Sequence, residues 1–352
     1  MTRVFLNRIG TAVPEYDIHD DFVAFARSAL TDPRERGVLD RMAEMAGISH
    51  RYSFLAPAPD CWDRVLDGEG FYKRHDFPGT RARNDRYEHE SLLLAQRAVA
   101  ALGPIHGITH LIIASCTGFT APGLDFQLAQ ALGLAASVER TIVGFMGCFA
   151  AVTALRLARH IVRSEPASRV LVVNIELCGL HLQERWELQQ IMMFLLFADG
   201  GAASLVSSEP QGIELGAFRA TVIPDTAGLI TWRIGDRGFE MGLSGKLPGV
   251  IRRWLMRDGA ALLEADRKPS LWAVHAGGRA ILDAVEAGLA LPAEALNHSR
   301  LILRDFGNMS SATLMFVLQR ILQSSLGPAD GLAMAFGPGV SVETFSFRTA
   351  AP

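Results

Sequence analysis

From about residue 108 onward, short β-branched apolar runs alternate with helical stretches, and this alternation decides most of what the chain can become. His110-Leu111-Ile112-Ile113-Ala114-Ser115-Cys116, Thr141–Phe145, Val170–Leu177 and Gly201–Val206 read as buried strands. Leu271–Val274, Leu301–Leu303, Leu332–Phe336 and Thr344–Phe347 are also strand-like, whereas Pro248–Ala265, Gly278–Gly288 and Met309–Leu326 read as helices. Interleaved strands and helices imply an α/β protein with central sheets, because each sheet face then has a helical layer to cover it. Residues 15–100 are more charged and carry amphipathic helical stretches. No Gly/Ser linker or low-complexity segment interrupts the chain. The turn-rich region Ser207 to Gly216 divides it into two interlocked halves, residues 1–207 and 208–352.

At 352 residues and 49% hydrophobic, the chain can bury a large core. Its 34 basic and 37 acidic side chains leave a net charge of −3 with no long basic run, which argues against nucleic acid as a partner. The apolar run Ile191–Ala198 is far short of a bilayer span, and the N-terminus reaches polar residues too soon for a secretory segment. A soluble, cytoplasmic chain is therefore expected. Cys61, Cys116, Cys148 and Cys178 follow no C-x-x-C spacing, so neither a disulfide framework nor a zinc site is expected.

Cys148 stands out among these thiols. In Val143-Gly144-Phe145-Met146-Gly147-Cys148-Phe149-Ala150 an apolar run breaks at glycines and a helix begins, reaching to about Ser164. The first turn of a helix offers unpaired N–H groups and a positive dipole end, both of which favour thiolate over thiol. The helix is apolar nearly all round at its start, so it is buried there. Arg156, Arg159 and Arg163 follow where the dipole is negative. A lone buried cysteine is ordinarily inert packing. Two further junctions change that reading. Leu271-Trp272-Ala273-Val274-His275-Ala276-Gly277-Gly278 brings His275 to a strand end beside glycines, and Leu301 to Ser311 brings Asn308 to another. Catalytic groups in α/β sheets gather beyond strand carboxyl ends. An imidazole there can pair with a thiolate and move protons, and a carboxamide can hold an oxyanion without changing charge. Taken singly, His275 is a structural histidine and Asn308 a helix cap; with Cys148 they make a Cys-His-Asn site.

The segments Gly147-Cys148-Phe149-Ala150, Leu196-Phe197-Ala198-Asp199-Gly200, His275-Ala276-Gly277-Gly278, Gly307-Asn308-Met309-Ser310-Ser311-Ala312 and Phe336-Gly337-Pro338-Gly339 occur in an order and spacing that resembles the type III polyketide synthases, the chalcone- and stilbene-synthase-like enzymes of the thiolase superfamily. The resemblance implies a thiolase-like αβαβα layered fold of two pseudo-duplicated halves and an obligate homodimer. It also implies an acyltransferase working on malonyl-CoA and an acyl-CoA starter with no separate cofactor and no metal. Cys148 would take the starter, His275 and Asn308 would line the oxyanion hole, and repeated decarboxylative Claisen condensation would precede ring closure to a pyrone, resorcinol or related phenolic product.

The same resemblance assigns a pocket. Phe197 matches a gate phenylalanine, and Met241 falls at the second gate. Trp232 replaces a cavity glycine of the plant pattern, and Ala121 replaces a methionine that reaches across the dimer. Cys116, Cys178 and His181 fall where small hydroxyl residues line the floor. Ser310 belongs to the pocket, and Gly337, Pro338 and Gly339 form the loop that shapes cyclisation. Small side chains at Ala121, Cys116 and Cys178 either open a channel for a long acyl tail or, for the two cysteines, simply pack. Of the basic CoA-binding positions only Arg41 is present; two others fall on Val38 and Met45. Either Arg51 or Arg279 substitutes, or the starter arrives on an acyl carrier protein. The rival readings are an initiating ketoacyl-ACP synthase making one condensation and a non-catalytic paralogue acting as a binding partner.

Overall fold

The computed structural model describes residues 2–263, 269–324 and 327–349. The last residues expected for two helices, 264–265 and 325–326, lie outside that set. Strand β1 (Phe5–Ala12) is followed by β2 (Tyr16–Asp17), helices α1 (His19–Ala29) and α2 (Pro33–Ala46), and β3 (Tyr52–Ser53). The long α3 (Thr80–Leu102) leads into β4 (His110–Ser115), α4 (Leu124–Ala131), β5 (Glu139–Gly144), α5 (Ala150–Ser164), β6 (Val170–Leu177), α6 (Leu188–Leu196) and β7 (Asp199–Ser207). Then come β8 (Ile213–Val222), the hairpin β9 (Ile230–Gly235) and β10 (Gly238–Leu243), and α7 (Leu247–Asp258). The remainder is β11 (Leu271–Val274), α8 (Arg279–Gly288), α9 (Asn297–Phe306), α10 (Ser311–Gln323), β12 (Asp330–Gly337) and β13 (Ser341–Thr349).

Nine strands form one sheet in the order β11-β12-β13-β8-β1-β7-β6-β4-β5. Reading outward from the β1–β8 junction gives β1-β7-β6-β4 on one side and β8-β13-β12-β11 on the other. In both directions two antiparallel pairings are followed by a parallel one. The halves therefore share a topology, with α5 and α10 as counterparts. The two helices pack together in one core with strand residues from both halves, among them Ile112, Val172, Ala273, Ala333 and Phe345. In β4 the alternation is plain: Ile112 joins that core, while Leu111 and Ile113 face the layer of α3 and α4. On the second half, α7 and α8 cover the outer face through Ile251, Leu255, Leu282 and Val285. The result is the layered thiolase-like α/β architecture.

Two expectations fail. Leu301–Leu303 is part of α9, not a strand. Its buried residues Ser299, Ile302 and Leu303 follow helical spacing with Arg300 and Arg304 outside, and three apolar residues are too few to fix the period. The second half thus has a helix where the first has β5. Thr141 to Phe145 is also not buried: β5 forms the sheet edge, and Glu139–Ile142 are exposed there.

Candidate active site

The sulfur is delivered by a strained turn. After β5 the chain passes through Phe145 (φ 58°) and Gly147 (φ 82°), both left-handed, and Cys148 sits just ahead of α5. Only glycine fits at 147, since a Cβ there would lie 2.3 Å from Pro338 Cδ. The Gly147 N–H donates to Cys116 Sγ at 3.0 Å, fixing the turn against β4. Cys148 keeps its accessible surface toward a small, mostly apolar cavity.

Asn308 occupies the corresponding position ahead of α10, after Gly307 (φ 69°). Its N–H donates to Leu196 O (2.8 Å), and its carbonyl accepts from Ala198 N–H (2.9 Å), which pins it beside Phe197. Its side-chain Nδ2 donates to Gly277 O at 3.3 Å, and Oδ1 accepts from the N–H of Ser310, itself left-handed at φ 47°. The Asn308 and Ser310 side chains lie close enough to the Cys148 sulfur to favour its thiolate. The helical α9 therefore corrects the expectation that a strand carries Asn308. The same symmetry puts Cys116 after β4 where His275 follows β11.

The His275 N–H donates to Met334 O at 2.8 Å, extending the β11–β12 pairing by one residue. Its ring lies against Gly277, whose carbonyl holds Asn308. Neither ring nitrogen has a hydrogen-bond partner, so no such bond joins it to Cys148. Burial pushes His275 down to about 4. Burial likewise pushes the Cys148 thiol up to about 12, outweighing the pull of Ser310 and Asn308 toward thiolate, and the nearby Glu176 adds to the rise. The thiolate favoured by a helix start is thus not the resting state. The sulfur precedes the first residue of α5 and is taken out of water, and desolvation penalises whichever form carries charge.

Phe197, Met241, Trp232, Cys116, Cys178, Ser310 and Pro338 all line the same cavity as Cys148. Trp232 and Met241 are cross-strand partners in the β9–β10 hairpin, and Trp232 Nε1 donates to Cys116 O at 2.9 Å. The remaining expected residues lie elsewhere. His181 is fully buried behind the wall, with Nε2 2.7 Å from Thr117 O, Nδ1 accepting from Phe239 N–H, and its ring stacked on Phe239. It has no face left for a substrate, and burial pushes it down to about 3, so it is a neutral structural ring. Of the Gly337-Pro338-Gly339 loop only Pro338 reaches the cavity; Gly337 makes room for the Phe149 ring, and Gly339 supplies a left-handed turn at φ 68°. Ala121 is exposed, outside the cavity of its own chain.

Arg41 and Arg279 are both exposed, on α2 and at the head of α8, and Arg279 packs near Gly47 at the end of α2. Arg51 cannot hold a CoA phosphate. Its buried guanidinium donates from Nη1 to Phe194 O and Phe197 O and from Nε to His19 Nδ1 (2.9 Å).

Sequence reasoning missed Glu176. This fully buried carboxylate accepts from Cys116 N–H (3.0 Å), Thr117 Oγ1 (3.2 Å) and Ser311 Oγ (2.5 Å), tying β4, β6 and the start of α10 together. Burial pushes it up to about 7 against those hydrogen bonds. A carboxylate inside the mostly apolar Val170–Leu177 run was the available signal.

A layered thiolase-like fold with a cysteine opening onto an apolar cavity at the head of a central helix defines a class of acyl-transferring enzyme. Within it, the chain belongs to the chalcone and stilbene synthases: the model of their N-terminal domain matches residues 3–210 and that of their C-terminal domain residues 214–351. Among solved structures it is similar to the C-terminal type III polyketide synthase domain of Steely1, a type I/III hybrid from Dictyostelium, at 25% identity and a TM-score of 0.90, over 99% of this chain and 100% of that one. It is also similar to PKS-I of the brown alga Ectocarpus siliculosus, at 28% identity and a TM-score of 0.85, over 99% of each chain. It is accordingly an acyltransferase of the type III polyketide synthase kind, from a family that uses CoA thioesters. Among the described residues, no helix is long and apolar enough to cross a membrane.

Proposed function

We propose that this cavity loads an acyl starter from its CoA thioester onto Cys148 and extends it by repeated decarboxylative condensation with malonyl-CoA. The observation that carries the reading is the Cys148 sulfur, open to an apolar cavity that Ser310 also lines, with the Asn308 side chain close by. His275 takes the thiol proton as Cys148 attacks the thioester carbonyl, and gives it to the CoA sulfur as the tetrahedral intermediate collapses and CoA leaves as its thiol. The Asn308 amide and the N–H of the neutral His275 ring then polarise the malonyl thioester carbonyl. Loss of CO₂ leaves an enolate, which attacks the Cys148 thioester and frees the sulfur for the next round. Two fixed donors in a dry pocket supply several kcal/mol of such stabilisation.

The lining of Met193, Phe194, Phe197, Ile230, Trp232 and Met241 favours an aliphatic starter and leaves a folded product little room beyond a single ring. A pyrone or resorcinol is the expected outcome. Arg41 and Arg279 are the candidates to hold the CoA phosphates. The edge strand β5, with Ile142, Met146, Phe119 and Phe126 exposed near it, suits pairing with a second copy of the chain as a homodimer.

The test is incubation with malonyl-CoA and a panel of short, aromatic and long-chain acyl-CoAs, weighing the products. Cys148→Ala should abolish acyl loading, and Asn308→Ala should lower malonyl-CoA decarboxylation about 10²–10³-fold while sparing loading. Condensation surviving in Cys148→Ala would remove the nucleophile from this scheme, and an intact protein turning over none of the panel would favour a binding role.

A further inference from the structure

The last turns of α5 reach a surface concavity beside the paired ends of β8 and β13, lined by Arg3, Arg159, Arg163, Glu214 and Arg348. Glu214 is engaged by Arg3 at 2.6 Å. Arg159, Arg163 and Arg348 have no carboxylate partner among the described residues. Arg159 is only 9% exposed, its Nε donating to Leu215 O at 3.3 Å and its guanidinium lying over Phe218. Arg163 Nε is buried and has no hydrogen-bond partner among the described residues. Arg156, one turn back, is satisfied by Glu343. The excess charge is felt locally: burial and then Arg159, Arg156 and Arg163 push His160 down.

The internal symmetry of the fold shows that this charge is not a structural requirement. Arg159 lies 11 residues after Cys148, and Gln319 lies 11 after Asn308. Each spans from its central helix to the neighbouring strand, Arg159 Nε to Leu215 O on β8 and Gln319 Nε2 to Ile9 O on β1. By the same offset Arg163 corresponds to Gln323. Neutral amides therefore meet the architectural need in one half, while the other carries surplus guanidinium groups. Crowding like charges in a concave, partly dehydrated place is unfavourable unless an anion offsets it. Guanidinium groups match phosphate oxygens in paired hydrogen bonds.

We propose that this concavity binds a phosphate-bearing anion with at least two negative charges, at a site separate from the condensing cavity. At about 1.5 Å per residue, Arg163 is on the order of 22 Å along the helix from Cys148. The core of α5, α10 and both halves of the sheet lies between, so no acyl arm reaches the sulfur from here. The ligand is thus not a substrate in transit, and the proposal does not rest on the condensation scheme.

Calorimetric titration of the full chain with sodium tripolyphosphate in low-salt buffer tests it. Saturable binding that weakens with added NaCl, and weakens at least tenfold in Arg163→Gln/Arg348→Gln, is the expected result. Glutamine at 163 copies the counterpart at 323, and unchanged malonyl-CoA turnover and melting temperature serve as the check that the variant is folded. If the double variant melts early, Arg348→Gln alone, at an exposed position, should still weaken binding severalfold. No saturable binding, or equal affinity in wild type and variants, overturns the site. Co-sedimentation with phosphatidylcholine/phosphatidylglycerol vesicles, in a protein that ignores tripolyphosphate, overturns the free anion in favour of a lipid surface.

Discussion

Gly147→Ala is the smallest change that should disable the site without touching a reacting group. The new methyl meets two separate penalties. At φ 82° an L-residue is left-handed, which costs about 1–2 kcal/mol. Its Cβ would sit 2.3 Å from Pro338 Cδ and 2.9 Å from Pro338 Cγ, and a rigid proline ring cannot swing aside as a flexible side chain would. Relieving such overpacking typically costs a further ~1–3 kcal/mol. The sum, about 2–5 kcal/mol, can be converted with an unfolding entropy of about 2.1 cal/mol/K per residue. For 352 residues that is about 1.4 °C per kcal/mol, so the melting temperature should fall by about 3–7 °C. The functional loss should be larger in proportion. Pushing the 147 peptide away from Pro338 moves the adjoining sulfur relative to Asn308 and Ser310, and a misplacement near 1 Å costs about 10²-fold in rate. Differential scanning fluorimetry and steady-state malonyl-CoA consumption give the two readouts. A Gly147→Ala enzyme that melts within 1 °C of the parent and turns over within about twofold would refute the argument that this turn admits only glycine.

Glu176 links stability to pH. Burial holds its carboxyl at about 7, above its unfolded value, so the folded chain keeps a proton that the unfolded chain releases. The stability it contributes is present at low pH and lost as pH rises through 7, so Glu176→Gln should lose less melting temperature than the parent between pH 5.5 and 8; parallel curves would show that the carboxyl is not the source. Trp232→Gly should deepen the cavity and shift products to higher mass in chromatography–mass spectrometry, at a stability cost of about 3–5 kcal/mol for the lost ring; an unchanged product profile would place Trp232 outside the size limit. Arg51→Met should leave the Phe194 and Phe197 carbonyls unpaired and lower kcat at least tenfold with a smaller change in KM, while Arg51→Lys recovers part of it. Equal losses in both variants, confined to melting temperature, would make Arg51 a purely structural cation.

The strand–helix alternation was legible because buried strands carry continuous apolar runs such as Leu111-Ile112-Ile113-Ala114, and the Cys148 turn was legible because glycine is the residue a left-handed turn demands. Leu301–Leu303 was misread because three apolar residues fit either period. His181 was misplaced because a position in an aligned segment does not say which way a ring points. The convergence of Asn308 and Ser310 on one sulfur depends on α5 and α10 being counterparts across the sheet, which no local spacing encodes.

The amino-acid order alone determined the class of fold and marked Cys148 as the candidate thiol, because periodicity and turn chemistry act over a few neighbouring positions. Tertiary packing decided the rest. It chose which side chains face the cavity, closed Arg51 and His181 into the wall, and left three guanidinium groups without carboxylate partners among the described residues. It also set the protonation of Cys148 and His275, since the cost of holding charge depends on how much water the assembled layers exclude.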